Sequence, residues 1–362
     1  MTRILIINPR AMYFGERLAT SIDLCVRDLV RFSRFKGTTT VVGDPVDVPF
    51  PDIEFRPRPA TRTNRFYDRA PALLAMVKEM APDVICVQEH LRTAAHLAQR
   101  VRIPVLLQRH NPMQGPKNII DNLIQTRRYN RLAGVIFVGS QLRQDFERAW
   151  PKVVAPRDVV FNALDMTAWT PAAQRDKTIL LVGRSAPFKG TLEAAQALAG
   201  VLPNYPDWKT LFMLTAVEAD RDYFGRVQAV LSNLGPQATL QVQQPFALVK
   251  AQMEKAEIVL VPSIVKEAFG RTALEAHAGG AAVISSGNGG LAEVSGDHAI
   301  FLQAVTPKDI SGAVTLLIEN PDRRAALAAA GRERVTRLFD ARAVASACDD
   351  VYIKAVKNFR AR

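Results

Sequence analysis

The sequence predicts an α/β protein built from two doubly wound domains of similar size. Apolar runs of strand length alternate with helical patterns through all 362 residues, which is typical of parallel sheets wound with helices. The runs are apolar on both faces, as expected for strands covered by helices on each side. The length suits two ordinary domains, and no stretch approaches the ~20 apolar residues of a transmembrane helix.

Six strand candidates lie in the first half, and six more lie in the second. The first set spans residues 3–8, 39–43, 83–88, 104–108, 134–139 and 158–161, with helical patterns at 18–32, 70–80, 91–101 and 118–132. The second set spans residues 178–182, 210–215, 238–242, 258–261, 281–285 and 299–302. A polar stretch at 165–176 joins the two halves. Because ligands bind at the carboxyl ends of strands in such sheets, we expect the chemistry in a cleft between the domains.

The charge distribution favours an anionic partner for the first domain. The net charge is +12, and residues 1–150 hold 23 Lys or Arg against 14 Asp or Glu. One basic set comprises Arg56, Arg58, Arg62, Arg65 and Arg69, and a second comprises Arg127, Arg128 and Arg131 beside Leu123, Ile124 and Leu132. Such faces suit anionic lipid, a phosphorylated small molecule or nucleic acid, and a merely solvated basic surface is the alternative.

The cysteines and the N-terminus predict a cytoplasmic protein. Cys25, Cys86 and Cys348 are far apart, which gives neither a disulfide framework nor a zinc site. The apolar run near the N-terminus is too short for a signal peptide. We therefore expect no metal site, and contact with the inner face of the cytoplasmic membrane remains open.

The strongest chemical signal is the segment from Lys266 to Gly280, which follows a predicted strand. Gly270 and Arg271 would open a helix, whose first N–H groups and positive dipole end form an anion site. Glu275, about one turn into that helix, can accept hydrogen bonds from a ribose diol, and Glu267 can do the same for a second polyol. A capping carboxylate and a solvated helical glutamate are the alternative reading.

Two weaker signals also follow predicted strands. Gly183 and Arg184 precede Lys189, so two cations five residues apart could both face one pyrophosphate. His110 ends a strand of the first domain and could bond a substrate hydroxyl or phosphate, or could simply be packed.

Together these motifs resemble the retaining glycosyltransferases of family 4 (glycosyltransferase group 1), which have the GT-B fold. Glu267 and Glu275 match the family's E-x7-E pattern, and residues 183–190 match its GR-x4-KG element. Residues 158–165 resemble the segment before the family's second domain, and residues 287–293 resemble its G-G-x-x-E loop. The resemblance implies domains at 1–166 for the acceptor and 167–340 for the donor, with a final helix in 341–362 that packs back on the first domain.

The resemblance also implies a role for each site residue. Arg184 and Lys189, after Gly183, would hold the donor diphosphate, and the backbone at Phe269, Gly270, Arg271 and Thr272 would cradle its β-phosphate. Glu275 would bind the ribose, and Glu267 the hydroxyls of the transferred sugar. His110 would lie near the reacting sugar, and Gly15 in the first loop, which the acceptor and the diphosphate approach. Residues 243–246, ending at Phe246, occupy the place of the base but lack its usual glycine.

The implied activity is metal-independent transfer of a sugar, with retained configuration, from a UDP- or GDP-sugar to a lipid-linked or lipopolysaccharide-core acceptor. The resemblance implies same-face attack, which is the family's usual account, and no carboxylate pair suited to double displacement is visible in the sequence. Two alternatives remain: a nucleotide-sugar 2-epimerase of the same fold, and a non-enzymatic polyanion-binding protein. The second lacks a recognisable nucleic-acid motif, so no nucleic-acid partner is expected.

Overall fold

The computed structural model describes residues 2–16, 19–61 and 66–361, with side chains at all of these except 66–69. Two compact units are present, Met1–Asp165 with Phe339–Arg362 and Met166–Leu338. Each unit contains one all-parallel sheet with helices between its strands, which confirms the predicted α/β class. Arg62, Arg65 and the predicted helix start at Leu18 lie outside the described residues, as does the side chain of Arg69.

The first unit is a seven-stranded sheet with the order β3-β2-β1-β4-β5-β6-β7. The strands are β1 (Ile4–Ile7), β2 (Thr39–Gly43), β3 (Glu54–Pro57), β4 (Val84–Gln88), β5 (Val105–Arg109), β6 (Gly134–Phe137) and β7 (Arg157–Val159), and the helices between them are α1 (Ser21–Phe32), α2 (Phe66–Met80), α3 (Leu91–Ala98), α4 (Ile119–Tyr129) and α5 (Ser140–Ala149). β1, β2, β4 and β6 are buried along their whole length, as strands covered on both faces should be.

The second unit is a six-stranded sheet with the order β10-β9-β8-β11-β12-β13. Its elements are β8 (Asp176–Arg184), α6 (Thr191–Val201), β9 (Lys209–Thr215), α7 (Arg221–Ser232), β10 (Ala238–Val242), α8 (Phe246–Met253), β11 (Ala256–Val261), α9 (Arg271–Ala278), β12 (Ala282–Ser285), α10 (Gly290–Ser295), β13 (Ala299–Phe301), α11 (Pro307–Glu319) and α12 (Pro321–Phe339). Its core lies between α6, α7 and α11 and the sheet.

The last helix, α13 (Ala341–Arg360), packs within the first unit. Its apolar face, including Val344, Cys348 and Tyr352, joins the core formed by β1, β4 and α1. The carboxylate of Asp340 accepts a hydrogen bond from the N–H of Arg342 at 2.9 Å and thereby caps the helix. The N–H of Ala341 also donates to the carbonyl of Leu164 at 2.8 Å, so the start of α13 is fixed to the chain after β7.

Both sheets have a point where the direction of winding reverses. It lies between β1 and β4 in the first unit and between β8 and β11 in the second, because the chain moves outward in one direction and then returns to continue in the other. Loops leave such a point toward opposite faces of the sheet, so a crevice forms at the carboxyl ends of the two strands. This topology fixes where a ligand site can form in each unit. None of the helices in the described part of the chain is both long enough and apolar enough to cross a membrane.

Candidate functional site

The loops after β8 and β11 are joined at the reversal point of the second unit. After β8, the turn Pro187–Lys189 presents the carbonyl of Phe188, which accepts a hydrogen bond from the N–H of Ile264 at 2.9 Å. Ile264 lies in the loop that follows β11, and β8 and β11 are paired neighbours. The backbone contact therefore brings the two motifs predicted to bind a diphosphate to the same place.

Lys189 and Glu267 form an ion pair across this junction. The Nζ of Lys189 lies 2.5 Å from the Oε1 of Glu267, and the hydroxyl of Ser263 donates to the same oxygen at 2.7 Å. Both charged side chains retain partial exposure. The pair is thus held in a defined geometry while remaining accessible from solvent.

Glycines in the loop after β12 hold Glu267 from the other side. The N–H of Gly290 donates to the carbonyl of Glu267 at 2.8 Å, and Gly289 pairs with Glu267 as a parallel bridge. Gly289 has φ 67°, and a Cβ there would lie 2.4 Å from the Glu267 carbonyl oxygen, so only glycine fits. The amide of Asn288 adds hydrogen bonds to the carbonyls of Ser263 and Ile264 at 2.9 and 3.0 Å.

Helix α9 begins directly after the loop that follows β11, the loop that contains Glu267. Gly270 is its N-cap with φ 104°, in the left-handed region, and a Cβ there would lie 2.6 Å from Leu291 Cδ2. The first N–H groups of a helix have no partner within the helix, and they can therefore bind an anion. Phe269 before it is buried, and Thr272 in its first turn is half-buried.

Glu275 lies in the second turn of α9 and is only 6% exposed. Its Oε1 accepts a hydrogen bond from the Nε of Arg271 at 2.7 Å, one turn earlier on the same face. A buried carboxylate needs such a partner because desolvation of an unpaired charge is costly. The side chain has the chemistry to accept hydroxyl hydrogen bonds, as predicted, and its role as a ribose ligand stays a prediction.

Arg184, at the end of β8, is paired with Asp220 in the loop after β9. Its Nε and Nη2 lie 2.8 and 2.7 Å from the Oδ2 of Asp220. Arg184 Cζ also lies 5.6 Å from the centre of the Phe188 ring, and Lys189 Nζ lies 6.0 Å from it. The two predicted diphosphate ligands are therefore gathered around Phe188. Gly183, next to Arg184, has open space around its Cα.

Phe246, predicted to contact the base, begins α8 after Pro245. Its ring packs edge-on against Trp169, with the ring centres 6.3 Å apart. This contact belongs to the second unit but gives no link to Arg184, Lys189 or Glu267. Its role at the base stays a prediction.

His110 follows β5 in the first unit. β5 is the neighbour of β4, which borders the reversal point. Its Nε2 is 2.7 Å from the Oε1 of Gln88 at the end of the neighbouring strand β4. The carboxylate of Glu89 accepts hydrogen bonds from the backbone N–H groups of His110 and Asn111, and it pairs with Arg109 at 3.0 Å. Glu89 has φ 62°, which costs a non-glycine residue about 1–2 kcal/mol, and these hydrogen bonds hold it there.

Gly15 lies in the loop after β1, on the other side of the same reversal point. It forms an antiparallel bridge with Pro49, and a Cβ there would lie 2.3 Å from the carbonyl oxygen of Val48. Close packing against this backbone therefore requires glycine at position 15. Its predicted contact with the acceptor and the diphosphate stays a prediction.

We expect the His110 side chain to stay neutral through the physiological range. Burial lowers the pKa of His110 from 6.5 to about 4, against the opposing field of Glu89. Below pH 6.5 the unfolded chain therefore binds a proton that the folded chain does not, so stability falls between pH 6.5 and 4. Unfolding by urea across this range should show a steeper loss for the wild type than for His110→Gln. An equal pH dependence in the two proteins would contradict the assignment.

Several site residues carried no sequence signal of their own. Asp220 holds Arg184 and Ser263 holds Glu267 in the second unit, and Gln88 and Glu89 hold His110 in the first. Their sequence distances from the predicted residues vary from 4 for Ser263 to 36 for Asp220. In the sequence, these residues could have been identified only by their position after predicted strands that are neighbours in the sheet.

The comparisons with known proteins fit this site. Residues 168–334 match the family model described as Glycosyl transferases group 1, and this range includes every predicted site residue of the second unit. Residues 168–334 form a group 1 glycosyltransferase domain. This domain therefore carries Arg184, Lys189, Glu267 and Glu275, and the predicted group 1 family is confirmed for residues 168–334.

Two curated relatives align with 56 and 59% of this chain. A glycogen synthase of Mycobacterium tuberculosis is 30% identical over 214 residues, and a phosphatidyl-myo-inositol mannosyltransferase of the same species is 31% identical over 232 residues. The chain spans about half the length of the first relative, 49%, and 59% of the second. The similarity therefore supports the family more strongly than it supports any one activity.

Solved structures share the fold over nearly the whole chain. A glycosyltransferase from Rickettsia africae superposes with a TM-score of 0.80 at 15% identity, covering 99% of each chain. Anabaena HepE in complex with UDP and glucose superposes with a TM-score of 0.75 at 15% identity, covering 97% of this chain and 100% of HepE. With two parallel-sheet Rossmann-like units, the predicted GT-B fold class is confirmed.

Proposed function

We propose that this protein is a glycosyltransferase that moves a sugar from a nucleotide-sugar donor to a glycan acceptor. The observation that carries the proposal is the cluster at the reversal point of the group 1 domain. There, Lys189 and Glu267 form an ion pair beside the start of α9, and the buried Glu275 follows one turn later. Cations, helix N–H groups and carboxylates suit a molecule that has phosphates flanked by hydroxyls.

Each group has a distinct task in the proposed donor site. Arg184 and Lys189 bind the diphosphate, and the N–H groups at the start of α9 add hydrogen bonds to its β-phosphate. Glu275 accepts hydrogen bonds from the ribose, and Glu267 accepts them from the sugar. The donor is a UDP- or GDP-sugar. HepE, which has this fold in complex with UDP and glucose, supports the first of these.

The proposed reaction proceeds with retention and depends on electrostatics and positioning. Double displacement needs a nucleophilic carboxylate about 5 Å from an acid partner. Glu267 is instead engaged by Lys189 and Ser263, which suits a binding role. The acceptor hydroxyl attacks the anomeric carbon from the same face as the leaving group. As the bond to the phosphate breaks, the departing phosphate takes the proton of that hydroxyl. Lys189 and Arg184 stabilise the charge that grows on that phosphate.

The proposed acceptor is a lipid-linked or lipopolysaccharide-core glycan. The basic surplus of residues 1–150 supports an acceptor with phosphate groups. The similarity to a phosphatidyl-myo-inositol mannosyltransferase also supports a lipid-linked acceptor. Such an acceptor would place the protein in the cytoplasm, in peripheral contact with the membrane.

Donor binding can be tested by thermal unfolding of the full chain against UDP-, GDP- and ADP-sugars. A ligand at 100 times its Kd stabilises a protein by about 2.7 kcal/mol, so one nucleotide class should raise the melting temperature by a few degrees. No shift with any donor, together with salt-dependent binding of a polyanion such as heparin, would contradict the proposal. Release of an epimerised nucleotide-sugar without acceptor would instead identify an epimerase.

A further inference from the structure

Helix α4 of the first unit turns its apolar side chains toward solvent. Ile119 is 87% exposed, Ile120 70%, Leu123 51% and Ile124 42%. Their spacing places all four on one side of the first two turns. A surface helix ordinarily buries its apolar stripe, so four adjacent exposed aliphatic side chains are an informative exception.

The inward side of α4 is the more polar one. Tyr129 is buried, where its ring packs against Phe146 and Trp150. The other inward positions carry Asn122, Gln125 and Thr126, and the hydroxyl of Thr126 donates to the side chain of Asn122 at 3.1 Å. Among the described residues, the core of the first unit therefore includes none of the four aliphatic side chains of α4.

Cations continue the same outward face. Arg127 and Arg131 lie one and two turns beyond Leu123 and Ile124, and both are exposed. Lys117, which is also exposed, precedes the helix. From residue 90 to residue 131 the sequence has eight Lys or Arg and a single acidic residue, Asp121. The aliphatic patch is thus flanked by the exposed cations Lys117, Arg127 and Arg131, in a basic segment of the chain.

We propose that the outward face of α4 docks on an anionic lipid membrane. The four aliphatic side chains enter the boundary between headgroups and acyl chains, and the surrounding cations contact the lipid phosphates. A second copy of this chain is a poorer partner, because pairing the same face would oppose two basic surfaces. Nucleic acid is also a poorer partner, since single strands are bound by aromatic stacking rather than by isoleucine. The inference does not rest on the proposed donor site.

The test is co-sedimentation of the full chain with vesicles of phosphatidylglycerol and phosphatidylcholine in equal parts, or of phosphatidylcholine alone. We expect binding to the anionic vesicles that weakens with salt, and little binding to the neutral ones. The double variant Ile120→Asn, Leu123→Asn should lower the partition coefficient at least tenfold. Arg127→Gln with Arg131→Gln should lower it about fivefold per cation.

A matched control is available in the second unit. Leu248 on α8 is 50% exposed, like Leu123, and Leu248→Asn should bind vesicles as the wild type does. Because the substituted side chains are exposed, all variants should keep the wild-type melting temperature. Vesicle binding that is absent, or equal in the wild type and the aliphatic double variant, would overturn the proposal. A wild-type dimer that the double variant converts to a monomer would also overturn it, in favour of a second copy.

Discussion

Replacement of Lys189 by alanine is expected to lower the turnover of sugar transfer by 10²–10³-fold, with a smaller effect on donor affinity. In the proposed reaction, negative charge grows on the diphosphate as the glycosidic bond breaks, so a fixed cation stabilises the transition state more than the bound donor. Steady-state rates and equilibrium binding of the donor would be measured side by side. Equal losses in turnover and affinity would show that Lys189 serves binding alone.

The control for this experiment lies on β8, the strand that precedes the turn with Lys189. Lys177 in β8 is exposed and pairs with Asp207 at 3.4 Å. Exposed pairs contribute about 0–1 kcal/mol, so Lys177→Ala removes the same charge with little structural cost. It should leave both turnover and donor affinity unchanged. A comparable loss in Lys177→Ala would mean that overall charge, rather than the position of Lys189, determines the rate.

Replacement of Glu275 by glutamine is expected to weaken donor binding by 10–100-fold. A hydrogen bond to a charged group contributes about 1.5–3 kcal/mol, and the amide keeps the shape of the side chain while losing its charge. Calorimetric titration with the donor identified by thermal unfolding would measure the change. Glu333→Gln, at an exposed position of α12, is the matched control and should bind normally.

The buried pair of Glu275 with Arg271 requires a further check. Loss of one partner of a buried ion pair destabilises the fold, so melting temperatures must accompany the titration. A weaker affinity in a protein that still unfolds cooperatively above the assay temperature supports the ribose role. Unchanged donor affinity in Glu275→Gln would refute it.

Sequence patterns predicted the alternation of strands and helices because buried parallel strands are apolar on both faces. The edge strand β3 was missed, since Glu54 and Pro57 are exposed and the strand lacks that signature. The spacing of Glu267 and Glu275 was visible in the sequence because Glu267 lies in the loop after β11 and Glu275 lies in the helix that follows that loop. The roles of Asp220 and Glu89 could not be predicted, because their contacts with Arg184 and His110 exist only once neighbouring strands have paired.

Three cations of the group 1 domain are each paired with a carboxylate of the same domain. Arg184 faces Asp220, Lys189 faces Glu267, and Arg271 faces Glu275. At the proposed donor site, an incoming anion would therefore compete with these carboxylates, and a bare phosphate that displaced them would leave them without a partner. A nucleotide-sugar would supply hydroxyls to Glu267 and Glu275 at the same moment. We expect internal competition of this kind to select against inorganic phosphate, and so to couple recognition of the phosphates to recognition of both sugars.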